Sequence, residues 1–131
     1  MKLRLAFATV ATLIGLGSAA QAEILASAPV YGGTPSNGGF VVCRIFNAGL
    51  TTASISVRQI FNDLNVSVPL TADSCNVALL PSRYCAYIAT VVGNRAHSCR
   101  LVATGTDIKL RGVAEVNRPA GTETLNAIPM Q

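Results

Sequence analysis

Two short stretches of this 131-residue chain repeat one pattern, Val42-Cys43-Arg44-Ile45 and Ser98-Cys99-Arg100-Leu101. Each sets a cysteine inside a β-prone run. The first is entered through Gly38-Gly39 and left through Asn47-Ala48-Gly49. It reads as a strand, Phe40 to Asn47, bounded by turn formers. Val41, Cys43 and Ile45 share one face, and Phe40, Val42, Arg44 and Phe46 the other. Both faces are largely apolar, which predicts a central, buried strand with Arg44 near a rim. The Asn-x-Gly exit is assigned to the tolerance of Asn and Gly for positive φ.

The rest of the chain keeps the same two-residue rhythm. Glu23 to Tyr31 predicts a first, edge strand, because Pro29 cannot donate to a ladder. Gly32 to Gly39 is a loop. Thr51 to Phe61 directs Ala53, Ile55, Val57 and Phe61 inward and Thr52, Ser54, Ser56 and Arg58 outward. Asn62-Asp63 turns into a partner strand, Leu64 to Leu70. Further strands are predicted over Cys75 to Leu80, Tyr84 to Val92, Ser98 to Thr104 and Ile108 to Val116. A last short one covers Thr122 to Ile128, and Pro129-Met130-Gln131 is a tail. No window has helical periodicity. Turn signals recur roughly every 8–12 residues, the spacing of an all-β sandwich of about seven or eight strands.

The N-terminus has the pattern of a secretory leader. Met1 to Arg4 is basic, Leu5 to Gly17 is apolar, and Ala20-Gln21-Ala22 is an Ala-x-Ala site. The apolar run is shorter than the roughly 20 residues that span a bilayer. The expectation is a signal peptide over residues 1–22, cleaved between Ala22 and Glu23. One domain, residues 23–131, then remains without a membrane anchor. The net charge of +4 includes Lys2 and Arg4. Without them, eight basic residues face six acidic ones, scattered along the chain. That distribution argues against a nucleic-acid partner. The expected location is the periplasm or the cell exterior.

Four groups of residues carry a resemblance to a family. They are Val42-Cys43-Arg44-Ile45-Phe46-Asn47-Ala48-Gly49, the stretch from Cys75 to Cys85 with Leu80-Pro81-Ser82, Ser98-Cys99-Arg100-Leu101-Val102, and Lys109 to Val116. The chain resembles small exported bacterial proteins of unknown function with an immunoglobulin-like β-sandwich. Ser82 stands where that family's Leu-x-Pro-Gly turn has its glycine. The resemblance implies a fold and a compartment, but no activity.

An exported chain meets oxidising conditions, and four cysteines fit two disulfides. Cys43–Cys99 with Cys75–Cys85 is the preferred pairing. The first pair pins two central strands, and the second closes a hairpin centred near Leu80-Pro81. Cys43–Cys85 with Cys75–Cys99 is the rival. The spacings of 32, 10 and 14 residues lack the paired-ligand rhythm of a structural zinc site. No Cys-x-x-Cys motif is present for redox chemistry. His97, the one histidine, would need an oriented partner such as Asp107 or Glu115 to act as a base, and Ser98 beside it points to the opposite face. No catalytic residue, metal ligand or cofactor is assigned.

The functional expectation is a non-enzymatic exported module with a structural or binding role. Its partner would be an unidentified protein or cell-surface component, met at the Gly32–Gly39 loop or at the first or last strand. Two alternatives differ in class. One is a small periplasmic metal-binding or hydrolytic protein using His97. The other is an adhesin- or pilus-like subunit completed by another chain's strand.

Overall fold

β2, Phe40–Asn47, has the bounds that its flanking glycines and Asn-x-Gly exit predict. It is a central strand of a computed structural model that describes residues 19–31, 39–91, 94–118 and 124–131. The basic and apolar parts of the expected leader (residues 1–18) and most of the glycine-rich loop (32–38) lie outside the described residues. The other strands are β1 Gln21–Ala26, β3 Ser54–Asn62, β4 Ser67–Val68, β5 Ala72–Asp73, β6 Tyr84–Thr90, β7 His97–Gly105, β8 Leu110–Asn117 and β9 Thr124–Met130. Among the described residues there is no helix. All pairings are antiparallel. One sheet has the order β1-β7-β3-β4 and the other β5-β6-β2-β8-β9.

The core lies between the sheets. Val41, Cys43 and Ile45 of β2 join Tyr87 of β6 and Leu110 and Ala114 of β8 on one side. Leu25, Ile60, Leu101 and Ala103 come from the other. Aliphatic side chains of this kind each contribute about 1.5–3 kcal/mol when fully buried. One covalent and three polar links reinforce the packing. Cys43 and Cys99 form a disulfide from one sheet to the other, with Cα atoms 6.0 Å apart. The Tyr87 hydroxyl donates to the Arg100 carbonyl at 3.0 Å. Burial, with help from Asp73, holds that phenol protonated well above its ordinary range. Arg58 of β3 meets Asp73 of β5 at 2.7 Å. At one corner Ala26 and Gln131 exchange backbone hydrogen bonds of 2.9 and 3.0 Å, linking β1 to the end of β9.

Both disulfides of the preferred pairing are present; Cys75–Cys85 has Cα atoms 5.1 Å apart. Several local expectations need correction. Cys75 to Leu80 is not a strand. Cys75 N–H is instead turned onto Asp73 Oδ1 at 2.8 Å, and only Leu79 makes a bridge, to Ala53. The pairing strand is Ala72–Asp73, which reads as polar loop. β1 begins and ends earlier than its alternation suggests, leaving Pro29 outside the ladder, though it is an edge strand as expected. β9 takes in Pro129 and Met130, read as tail, because Met130 is buried against the core.

A bulge between Ile55 and Val57 shifts the register of β3. One extra residue reverses which side chains face in. Ile60 is therefore the buried residue and Phe61 is only half-covered.

The Asn47 exit works by another cause than positive φ. Among the described residues, the non-glycine residues with left-handed φ are Asn65, Ser82 and Asp107, at 59°, 58° and 53°. Asn47 is fully buried and clamps the loop with its amide. Nδ2 donates to the carbonyls of Thr51 at 2.8 Å and Leu79 at 3.0 Å, and Oδ1 accepts from Gly49 N–H at 2.9 Å. Gly49 is required by contact: a Cβ there would stand 2.5 Å from the Asp107 carbonyl oxygen.

Candidate functional site

β2 is central, but only one of its faces is inside. Its second row, Phe40, Val42, Arg44 and Phe46, looks outward, together with the matching rows of β6 and β8; in it Arg44 and Phe46 are exposed, Phe40 is partly covered and Val42 is buried by its neighbours. The register sets these side chains in four lines across the sheet. Tyr84, Phe46 and Arg111 make the first line, and Ala86, Arg44 and Val113 the second. Ile88, Val42 and Glu115 make the third, and Thr90, Phe40 and Asn117 the fourth. Side chains directly opposite on one face stand about 4.5–5.5 Å apart at Cβ, close enough to form a continuous surface. Phe46 and Tyr84 are the most open of the large apolar side chains in these lines, 41% and 74% exposed.

Arg44 is therefore in the middle of an exposed face, not near a rim. Its Nε donates to Glu115 Oε2 at 3.0 Å. Arg111 is exposed and has no ion-pair partner among the described residues. Two shallow clefts of about 310 and 420 Å³ flank Arg44, which lines both. Phe46, Tyr84 and Arg111 border the smaller; Phe40, Ile88 and Asn117 border the larger. Asn117 is nearly buried, and its Oδ1 accepts no hydrogen bond. A face that combines aromatic side chains and an unspent guanidinium can hold a partner by apolar contact and by charge-assisted hydrogen bonds.

The signal for this face is present in the sequence. A strand apolar on both sides is covered twice or leaves one apolar side in solvent. Read as burial on both sides, the two-sided pattern does not single out Phe46, Tyr84 and Arg111.

The residues to which the sequence points are dispersed. His97 starts β7 on its inner face and is 1% exposed. Its backbone bridges Val30 in both directions, at 2.7 and 2.8 Å. Neither ring nitrogen has a hydrogen-bond partner. Burial lowers its pKa below the ordinary 6.5, while Asp63 pulls the other way. Glu115 belongs to the outer face of the opposite sheet, paired with Arg44. Asp107 lies in the turn after β7, at the far end of that strand from His97. The structure thus brings neither carboxylate to the imidazole. All four cysteine sulfurs are in disulfides, so none is a thiolate ligand. Among the described residues no three His, Cys, Asp or Glu side chains gather as a metal-binding group.

The expected cleavage bond falls inside β1, where Ala22 pairs with Thr104 and Glu23 with Ala103. The Glu23 carboxylate accepts from Leu110 N–H at 3.1 and 3.2 Å. No described inner strand lacks a neighbour: β7 lies between β1 and β3, and β2 between β6 and β8.

Comparison with known protein families, with curated proteins and with solved structures found no match.

Proposed function

We propose that this chain is an exported, non-enzymatic binding module that docks a partner on the outer face of its five-stranded sheet. The supporting observation is that face itself: Phe46 and Tyr84 lie open beside Arg44 and Arg111, with no described element of the chain laid over them. Exposed apolar side chains gathered in one place, with charges around them, are the usual mark of an interaction surface. Export is supported by two closed disulfides, which persist in oxidising compartments, and by the leader pattern of the first 22 residues. Cleavage after Ala22 would shorten β1 to Glu23–Ala26 and keep the Glu23 contact with β8. The destination would be the periplasm or the cell exterior.

The strand order supports an immunoglobulin-like reading with its two ends exchanged. In an immunoglobulin domain, strands B and F of opposite sheets carry the disulfide, B lies between A and E, and F between C and G. β2 and β7 take the places of B and F, with β3, β5 and β6 as C, D and E. β8, late in the chain, lies beside β2 where A would be. β1, the first strand, lies beside β7 where G would be.

The test is photo-crosslinking in an exporting host, with p-benzoylphenylalanine at Tyr84 or, as a control on the other sheet, at Thr104. The proposal expects a discrete adduct from position 84 and none from position 104. Equal adducts from both, or none from 84, would overturn it.

A further inference from the structure

We infer that the occupant of the outer face is an extended, acidic stretch of polypeptide lying along β2, with its carboxylate on Arg111. The inference rests on the docking face proposed above and adds the chemistry of its partner.

Charge complementarity fixes the sign. The four lines hold two guanidinium groups, Arg44 and Arg111, and one carboxylate, Glu115, which is already held by Arg44 at 3.0 Å. The unspent group is the cation Arg111. It lies beside Phe46, the more open aromatic of β2. A guanidinium next to an aromatic face is suited to a carboxylate approaching with an apolar neighbour.

Geometry selects a strand. Side chains on one face of β2 recur every second residue, about 6.6 Å, so the four lines span about 20 Å from Arg111 to Asn117. An extended chain covers about 3.3–3.6 Å per residue. Six or seven residues therefore reach from one end to the other, with alternate side chains falling on the lines of Phe46, Arg44, Val42 and Phe40. Asn117 at the far end is 6% exposed and its Oδ1 is closed off from the surface, so Arg111 is the polar anchor and the length of the face sets the length of the segment.

A second copy of this chain fits less well. Through the same face it would bring the same two arginines and a carboxylate already committed to Arg44, so it supplies no free acid.

The experiment is a titration of the isotope-labelled protein, followed by amide chemical shifts. The probes are three blocked heptapeptides of alternating Val and Thr, ending in Glu, Gln or Lys, and an oligogalacturonate. The Glu peptide is expected to shift the amides of Phe46, Arg111, Val113 and Asn117. It should bind about fivefold more tightly than the Gln peptide, the range of an exposed ion pair. Arg111→Gln, an exposed substitution whose fold is checked by the unchanged remainder of the spectrum, should erase that difference. Equal binding of the Glu and Gln peptides, or preference for Lys, overturns the acidic partner. Stronger binding of the oligogalacturonate on the same amides overturns the polypeptide. Shifts that grow with protein concentration alone assign the face to a second copy. If no peptide moves these amides while Tyr84 crosslinks in the host, this inference falls and the docking face stands; if neither occurs, both fall.

Discussion

Asn47 donates from Nδ2 to the carbonyl of Leu79, 32 residues further along the chain, at 3.0 Å inside the protein. Replacing Asn47 with Ala would leave that carbonyl, the Thr51 carbonyl and the Gly49 N–H without their side-chain partner. Each buried group left unsatisfied costs about 1–3 kcal/mol, although relaxation and water reduce the sum. The expected loss for Asn47→Ala is about 3 kcal/mol, read from urea unfolding. A loss under about 0.5 kcal/mol, typical of a neutral surface position, would show that the clamp is not structural.

Ser82 occupies a left-handed conformation, φ 58°, in an exposed turn. A residue with a Cβ is disfavoured there by about 1–2 kcal/mol, whereas glycine is not. Glycine also gains entropy in the unfolded chain, which offsets part of the benefit. Ser82→Gly is expected to stabilise the protein by up to about 1 kcal/mol. Ser82→Val should destabilise it by a similar or larger amount. Paired urea melts of the two variants give opposite signs if the turn is as described.

His97 makes stability fall on the acid side of neutrality. Burial lowers its folded pKa below the 6.5 of the unfolded chain. The unfolded state then binds the proton first as pH falls through about 6.5, so stability is complete above that value and declines below it. The decline ends once pH passes the folded pKa. The charged groups acting on the ring are Asp63 and Arg95, themselves joined at 3.0 Å. Urea midpoints at about pH 7.5 and about pH 5.5 should differ, and His97→Leu should reduce the difference. A variant with the same acid slope as the parent would transfer the effect to another group.

The two disulfides close loops of different size, with sequence separations of 56 and 10. In the chain-entropy model these correspond to about 4 and about 3 kcal/mol. Cys43→Ala with Cys99→Ala is expected to cost more than Cys75→Ala with Cys85→Ala. It also removes the covalent tie between the sheets. Calorimetric melting of both double variants ranks them, and the reverse order would contradict the assignment of the inter-sheet bridge as the main staple.

Much of the fold was legible because its signals are local. β2 was bounded by glycines and an Asn-x-Gly exit, β8 by alternation of Leu110, Ala114 and Val116, and both disulfides by compartment and spacing. What was not legible depended on distant partners. The bulge at Ile55/Val57 is set by pairing with β7, so alternation alone put Phe61 inside in place of Ile60. Ala72–Asp73 forms a strand because β6 offers an edge, not because its residues prefer one. The candidate site was half visible. Phe40, Val42 and Phe46 announced a second apolar face, but whether a layer lies over it is a property of the whole topology. Arg111 and Tyr84 reach that face only through registers with Phe46.

The most direct measurement is carbene footprinting of the protein twice, purified and inside its exporting host. The account predicts that Phe46 and Tyr84 label strongly in the purified protein and are protected in the host, while exposed Ile24 on the other sheet labels alike in both. Equal labelling of Phe46 and Tyr84 in the two settings would contradict a docked outer face.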